Sequence, residues 1–250
     1  MIQLKNKEEL NGIRKSCKLL ASLFLELESY IKEGISTKDI DDFCHEFIIK
    51  HNAKPILIGY RGYPATSCIS VNEEIIHGIP SKKKILKNGD LVKVDIDLSL
   101  NGFVSDSTHA FEIGSVNSDV HALNIETRNA LYKGIDAINK KNARLNDASS
   151  AIYNHLTQFG YGIVREYCGH GVGISVHEDP LVFNYVTNQG NIRLREGMVI
   201  AIEPMVALKS AKCHVMPDGW TVVTNDRSTA CHWEHTVAIT NDGVEILTEI

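Results

Sequence analysis

The chain has 250 residues, 43% of them apolar and 23% charged, which is ordinary for a soluble globular protein able to bury a substantial core. Its net charge of −5 argues against a nucleic-acid or anionic-membrane binder, which carries a basic face. No run of about 18 apolar residues could span a bilayer. Met1 to Asn6 form no secretory apolar core, and six cysteines without a Cys-x-x-Cys pair suggest reduced thiols, so a cytoplasmic protein is expected.

The first third reads as helical. Leu10, Ile13, Cys17, Leu20, Phe24, Leu27 and Ile31 step by three and four along one face of a long amphipathic helix. Ser36 and Thr37 offer caps to a second helix with Ile40, Phe43, Cys44, Phe47 and Ile48 inward. Beyond Pro55, Gly59, Gly62 and Pro64 mark a loop, and Thr66 to Val71 reads as a strand.

From Leu91 the pattern alternates. Val92, Val94, Ile96, Leu98 and Leu100 face one way, and Lys93, Asp95, Asp97 and Ser99 the other. Asn101-Gly102 is a strong hairpin signal, with Phe103 to Ile113 returning as the partner strand. A two-residue turn there sets Asp97 opposite Asp106, with Asp95 a diagonal neighbour within about 7–8 Å. Two further helices are expected, one with Val120, Leu123, Thr127, Leu131, Ile135 and Ile138 inward, the next over Ala148 to Phe159. Strand and loop follow from Ile163. No linker interrupts the chain, so residues 1–250 read as one domain.

Taken alone, the acidic hairpin reads as a solvated polar face. A faint internal repeat changes that reading. Gly89 to Asp95 resembles Gly197 to Glu203, Asp106-Ser107-Thr108 resembles Glu234-His235-Thr236, and His77-Gly78-Ile79 resembles His170-Gly171-Val172, all in the same order. Two helix-helix-strand halves would gather Asp95, Asp106, His170, Glu203 and Glu234 around one axis. Four carboxylates and an imidazole suit two divalent cations about 3.5–4 Å apart, which activate water for hydrolysis. Oxygen-rich ligands favour Mn, Fe or Co over structural zinc. No phosphate-cradling loop is evident, so an amide bond is the expected target.

These five residues, with Cys68 to Glu73, His77-Gly78-Ile79-Pro80, Gly169 to Gly173, Ile202-Glu203-Pro204-Met205 and Glu234-His235-Thr236, resemble the methionine aminopeptidases of the pita-bread fold, over nearly the whole chain. The compact length looks like the type I form. The resemblance implies an α+β fold of two pseudo-symmetric halves around a curved antiparallel sheet. It also implies removal of the initiator methionine from nascent chains whose second residue is small, by a monomer working near the ribosome. Asp95 would chelate one metal, Asp106 and Glu234 bridge both, and His170 and Glu203 complete the other site, Glu203 serving also as general base. His77 would hydrogen-bond the scissile amide nitrogen and His177 support the oxyanion. Tyr60, Tyr63, Cys68, Val176 and Trp220 would line the methionine pocket.

The sequence departs from the family at the edges of this site. Val176 stands where an aromatic is usual, Leu57 and Arg61 where Cys and His are often found, and His232 where Gln is usual. Asp97 replaces a small residue. Two other readings stand beside the first: an X-Pro aminopeptidase or prolidase of the same fold, and a peptide-binding module whose catalytic site has decayed.

Overall fold

In the computed structural model, which describes residues 1–189 and 191–250, helices α1 (Lys7–Tyr30) and α2 (Thr37–Lys50) come first. Both start with capping boxes, Asn6 with Glu9 and Ser36 with Asp39, which satisfy amide donors that a helix leaves open at its start. Thr37 is the first helical residue rather than the cap. The apolar stripe of α1 buries Ile13, Cys17, Leu20, Phe24 and Leu27, with Leu10 and Ile31 only half-buried at its ends. Helices α3 (Ser118–Ile138) and α4 (Leu145–Thr157) follow, and all six inward positions expected of α3 are buried. Helix α4 begins three residues earlier than expected. Its start is held by the Asp147 carboxylate accepting from the Arg144 amide, and arginine is not a residue that marks a cap.

The hairpin Leu91–Leu100/Phe103–Glu112 pairs in the expected register, from Leu91↔Glu112 to Leu100↔Phe103, with Asp97↔Asp106. Asn101 (φ 54°) and Gly102 (φ 87°) both take the left-handed backbone that a two-residue turn of matching twist requires. Ser67–Val71 joins the other edge of Leu91–Leu100, setting Cys68 opposite Asp95. In the second half Val199–Ile202 lies between Gly169–Gly171 and His235–Thr240, with Glu178–Val182 and Gly243–Ile246 at the edges. All these pairings are antiparallel. A bridge between Thr108 and Glu234 joins the two sheets.

Each helix pair covers one sheet. Leu20, Phe24, Leu27, Ile40 and Phe47 pack on Ile69, Val92, Val94, Ile96 and Leu98. Leu123, Leu131, Ile135, Ala148, Ile152 and Leu156 pack on Ile200, Ile202, Val206 and Val237. Burying each of the leucine, isoleucine, valine and phenylalanine side chains among these stabilises the fold by about 1.5–3 kcal/mol. The opposite face of the hairpin is not solvated. Lys93, Asp97 and Ser99 are 1%, 4% and 7% exposed, because the second half closes over them. Alternation shows which residues share a face; it does not show what later segments cover that face.

The repeat is present in the topology, with two differences. Gly89 donates its amide to the Ile113 carbonyl and Gly197 to that of Ile239, so the two glycine turns correspond. From there the sheet register sets Asp95 opposite Thr108, and the pairs His235↔Ile202 and Met205↔His232 bracket Glu203 opposite Glu234. Glu234 therefore corresponds to Thr108 and His232 to Asp106, two residues from the match read in the sequence. His77 lies beyond Glu74–Ile76 and not in the strand that corresponds to Gly169–Gly171, so its likeness to His170 is one of sequence only.

His109 stacks on Phe24 with ring centroids 4.0 Å apart, and its Nε2 is buried without a partner. Burial, reinforced by His235 and Arg128, lowers its pKa to about 3. The folded ring thus stays neutral where an unfolded one charges, so stability present above about pH 6.5 is lost as pH falls toward 3. Urea melts of the metal-free protein should therefore show His109→Phe losing about 2 kcal/mol less than wild type between pH 6.5 and 5. Parallel losses in the two proteins would contradict a neutral His109.

Candidate metal centre

Asp95 and Asp97 on one strand and Asp106 on its partner point to one face of the hairpin, and one oxygen of each lies within 4.8 Å of the others. From the second half, Glu234 reaches the same place: Glu234 with Asp106 and His170 forms another such group. Glu203 completes the set, with Oε1 3.6 Å from His170 Nε2, which is itself 3.5 Å from Asp106 Oδ2. The five expected ligands converge, and Asp97 stands among them.

Local backbone sets each of these side chains. A Cβ at Gly169 would lie 2.3 Å from the Ala201 carbonyl oxygen, and one at Gly171 2.3 Å from that of Asp179. Glycine at both places lets the strand lie tightly between its neighbours, and His170 is the one side chain it presents. His170 Nδ1 donates to the Gly171 carbonyl at 2.9 Å, which turns the Nε2 lone pair toward the acids. The Thr108 hydroxyl donates to Glu234 Oε2 at 3.0 Å, and Asn184 donates to the Glu203 backbone carbonyl at 3.0 Å. Neither Thr108 nor Asn184 was expected at the site. Thr108 could have been found from the hairpin register, but no local signal marks Asn184.

The electrostatics are unusual for metal-free protein. Burial first, and repulsion from neighbouring carboxylates second, push Asp97 and Asp106 well above the ordinary carboxylate range. Glu234 is raised likewise, by burial and then by Glu203, and Asp95 rises to about 6 mainly through burial. Glu203 is different. Burial raises it, but His232, with Nε2 3.4 Å from Oε2, and His170 draw it below the usual value.

The donor set fits divalent cations. Asp95 Oδ1, Asp97 Oδ1 and Glu234 Oε1 are buried and accept no hydrogen bond, a costly state unless another partner satisfies them. Two ligands about 2.1 Å from one tetrahedral cation stand ~3.4 Å apart, close to the His170–Asp106 and His170–Glu203 separations. The residues that could hold metal are Asp95, Asp106, His170, Glu203 and Glu234.

Beside these acids is a cavity of about 420 Å³. His77, His177, Tyr60, Tyr63, Cys68 and Trp220 line it, as do Leu57, Arg61 and Ile76. Tyr63 and Trp220 meet edge to face at 5.1 Å, and the Tyr63 hydroxyl donates to the Ser67 and Gly78 carbonyls. His77 takes a left-handed backbone (φ 58°), rare for a side-chain-bearing residue, and burial lowers its pKa to about 4. The His177 ring lies tilted against that of His170, with centroids 4.3 Å apart, and Tyr60 Oη is 2.9 Å from its Nδ1. Burial, then the neighbouring His170, lowers His177 to about 4 as well. Tyr167, with its ring edge toward His77 at 5.8 Å, Glu166 and Cys168 also line the cavity unforeseen, although they directly precede the glycine-flanked His170.

Val176 corrects one expectation. It lies outside the cavity lining, buried in a core cluster with Ile13, Val104, Val172 and Leu247, with Tyr60 packed against the cluster. A β-branched apolar side chain is drawn into that core rather than to the cavity rim.

Among characterised proteins, the methionine aminopeptidase of Borreliella burgdorferi is 48% identical over 250 residues, covering all of this chain and 99% of that protein. The crystal structure of methionine aminopeptidase from Thermotoga maritima superposes with a TM-score of 0.96 at 38% identity, covering 100% of both chains. Prolidase from Pyrococcus furiosus matches less closely, with a TM-score of 0.76 at 25% identity over 99% of this chain and 65% of that one. The α+β pita-bread architecture expected from the sequence is the fold shared with these proteins. With the model for metallopeptidase family M24 matching residues 11–241, the chain belongs to that family of metal-dependent hydrolases.

Proposed function

We propose that this chain is an aminopeptidase that removes the initiator methionine from newly made polypeptides whose second residue is small. The observation that carries this reading is the convergence of four carboxylates and His170 on the wall of a cavity with an apolar recess. The full-length likeness to proteins named methionine aminopeptidase supports it. We take residues 1–250 as one catalytic domain, acting as a cytoplasmic monomer near the ribosome. Among the described residues no helix is long and apolar enough to cross a membrane.

Asp95, Asp106, His170, Glu203 and Glu234 would hold two divalent cations, Mn, Fe or Co. Bound there, the cations would supply Lewis acidity, lowering the pKa of water and polarising an amide carbonyl. Leu57, Tyr63, Cys68 and Trp220 form an apolar recess that suits a thioether side chain. Glu203, held ionised by its histidine neighbours, takes a proton from the attacking water and passes it to the departing amine. His77, neutral at physiological pH, hydrogen-bonds the scissile nitrogen. Tyr60 Oη lies 2.9 Å from His177 Nδ1, and a neutral ring whose Nδ1 accepts from that hydroxyl carries its one proton on Nε2, ready to donate to the developing oxyanion. His232 stands beside Glu203 but, buried and outside the cavity lining, does not border the substrate space as its sequence position suggested.

Release of methionine from Met-Ala-Ser should follow reconstitution of metal-free protein with Mn, Fe or Co and disappear on chelation. Hydrolysis of Ala-Pro without methionine release would favour the prolidase reading, and no turnover with any of these metals would favour a binding module. Removing His177 (H177A) should lower kcat by roughly 10²–10³-fold with metal content unchanged. Tyr60→Phe should lower kcat by about fivefold, the worth of one hydrogen bond of about 1 kcal/mol. Equal losses in the two variants would contradict a supporting role for Tyr60.

A further inference from the structure

We infer that Asp97 is an additional carboxylate ligand, giving the cation position beside Asp95 and Asp106 a third aspartate. The inference rests on the proposed metal-dependent function and concerns a residue outside the five ligands assigned above.

Register places Asp97 directly across from Asp106 and two residues from Asp95, so all three side chains leave the same face of the hairpin. Each offers an oxygen within 4.8 Å of the others. Asp97 is 4% exposed, and its Oδ1 is buried without a hydrogen-bond partner, as is Oδ1 of Asp95. That oxygen is closed off from bulk water although Asp97 lines the cavity, and leaving a buried carboxylate oxygen unpaired is costly. The nearest cationic candidate on that face, Lys93, is committed elsewhere: its ammonium donates to the Asn72 carbonyl at 2.9 Å. Among the described residues no lysine or arginine forms an ion pair with Asp97.

Approximate symmetry of the fold does not explain the residue either. Its counterpart in the second half by register is Met205, fully buried and apolar, so an acid at this position is a property of the first hairpin alone. Four carboxylates would match the formal charge of two dications, and Asp97 adds a fifth on one side. The cation position on that side is thereby more anionic and richer in hard oxygen donors, which favours tighter binding and cations of the Mn type.

The test is Mn(II) titration of metal-free wild type, Asp97→Asn and Asp97→Thr, followed by calorimetry and by the EPR signal of free and bound Mn(II). Asn keeps the shape of the side chain, and circular dichroism with thermal melting of the metal-free proteins checks that each variant is folded. Wild type should bind two equivalents. Both variants should keep one at wild-type affinity and bind the other at least tenfold more weakly, with loss of the EPR signature of paired ions at low Mn(II). Two equivalents bound by the Asn variant with unchanged affinity would overturn the inference and leave the proposed function standing. Wild type that binds no divalent cation would overturn both.

Discussion

Five carboxylates crowded together out of water repel one another, and the arrangement of the whole molecule follows from where that repulsion is borne. At about 5 Å and an effective dielectric constant of ~20, each pair of ionised groups costs roughly 3 kcal/mol. The acids make few contacts that could offset this. Asp95, Asp97 and Glu234 each leave a buried oxygen without a partner. They are held in place by backbone: a ten-residue antiparallel ladder, its left-handed Asn101-Gly102 turn, and the Thr108–Glu234 bridge between the halves. Packing of one helix pair on each sheet stabilises those ladders from behind. Metal-free protein relieves the strain by binding protons, as the raised carboxyls of Asp97, Asp106 and Glu234 show, and cations would relieve it more completely.

The same geometry separates the tasks within the cavity. The hairpin of the first half supplies three aspartates, and the second half supplies His170 and two glutamates. Of the five clustered carboxylates Glu203 alone is drawn below its ordinary range, because His170 and His232 both face it, so it is ionised at neutral pH and open to a proton. His77 and His177 are kept neutral by burial and line the cavity shared by the acids and the apolar recess. His232 acts here as the charge neighbour of Glu203 and lies behind it, outside the cavity lining.

Much of this was legible in the chain itself, for identifiable reasons. Asn101-Gly102 admits a two-residue turn, and that alone determines that Asp97 faces Asp106. The helices follow from period-3.6 stripes and caps. Family likeness named five candidate ligands, whose side chains converge in the structure. Burial of the polar hairpin face was not legible, since it depends on segments more than a hundred residues later closing over it. Nor was the position of Val176, where core packing draws an apolar side chain away from the rim. Short motif matches also misplace correspondences by a residue pair: the Asp106 and Glu234 motifs align by letter, whereas sheet register aligns Glu234 with Thr108.

Anomalous diffraction at the manganese edge, from crystals of the protein grown with Mn(II), tests most directly whether this acid cluster is a two-metal centre. Two peaks about 3.5–4 Å apart are expected among Asp95, Asp106, His170, Glu203 and Glu234. An absence of anomalous density there, with the carboxylates in the positions described, would contradict it.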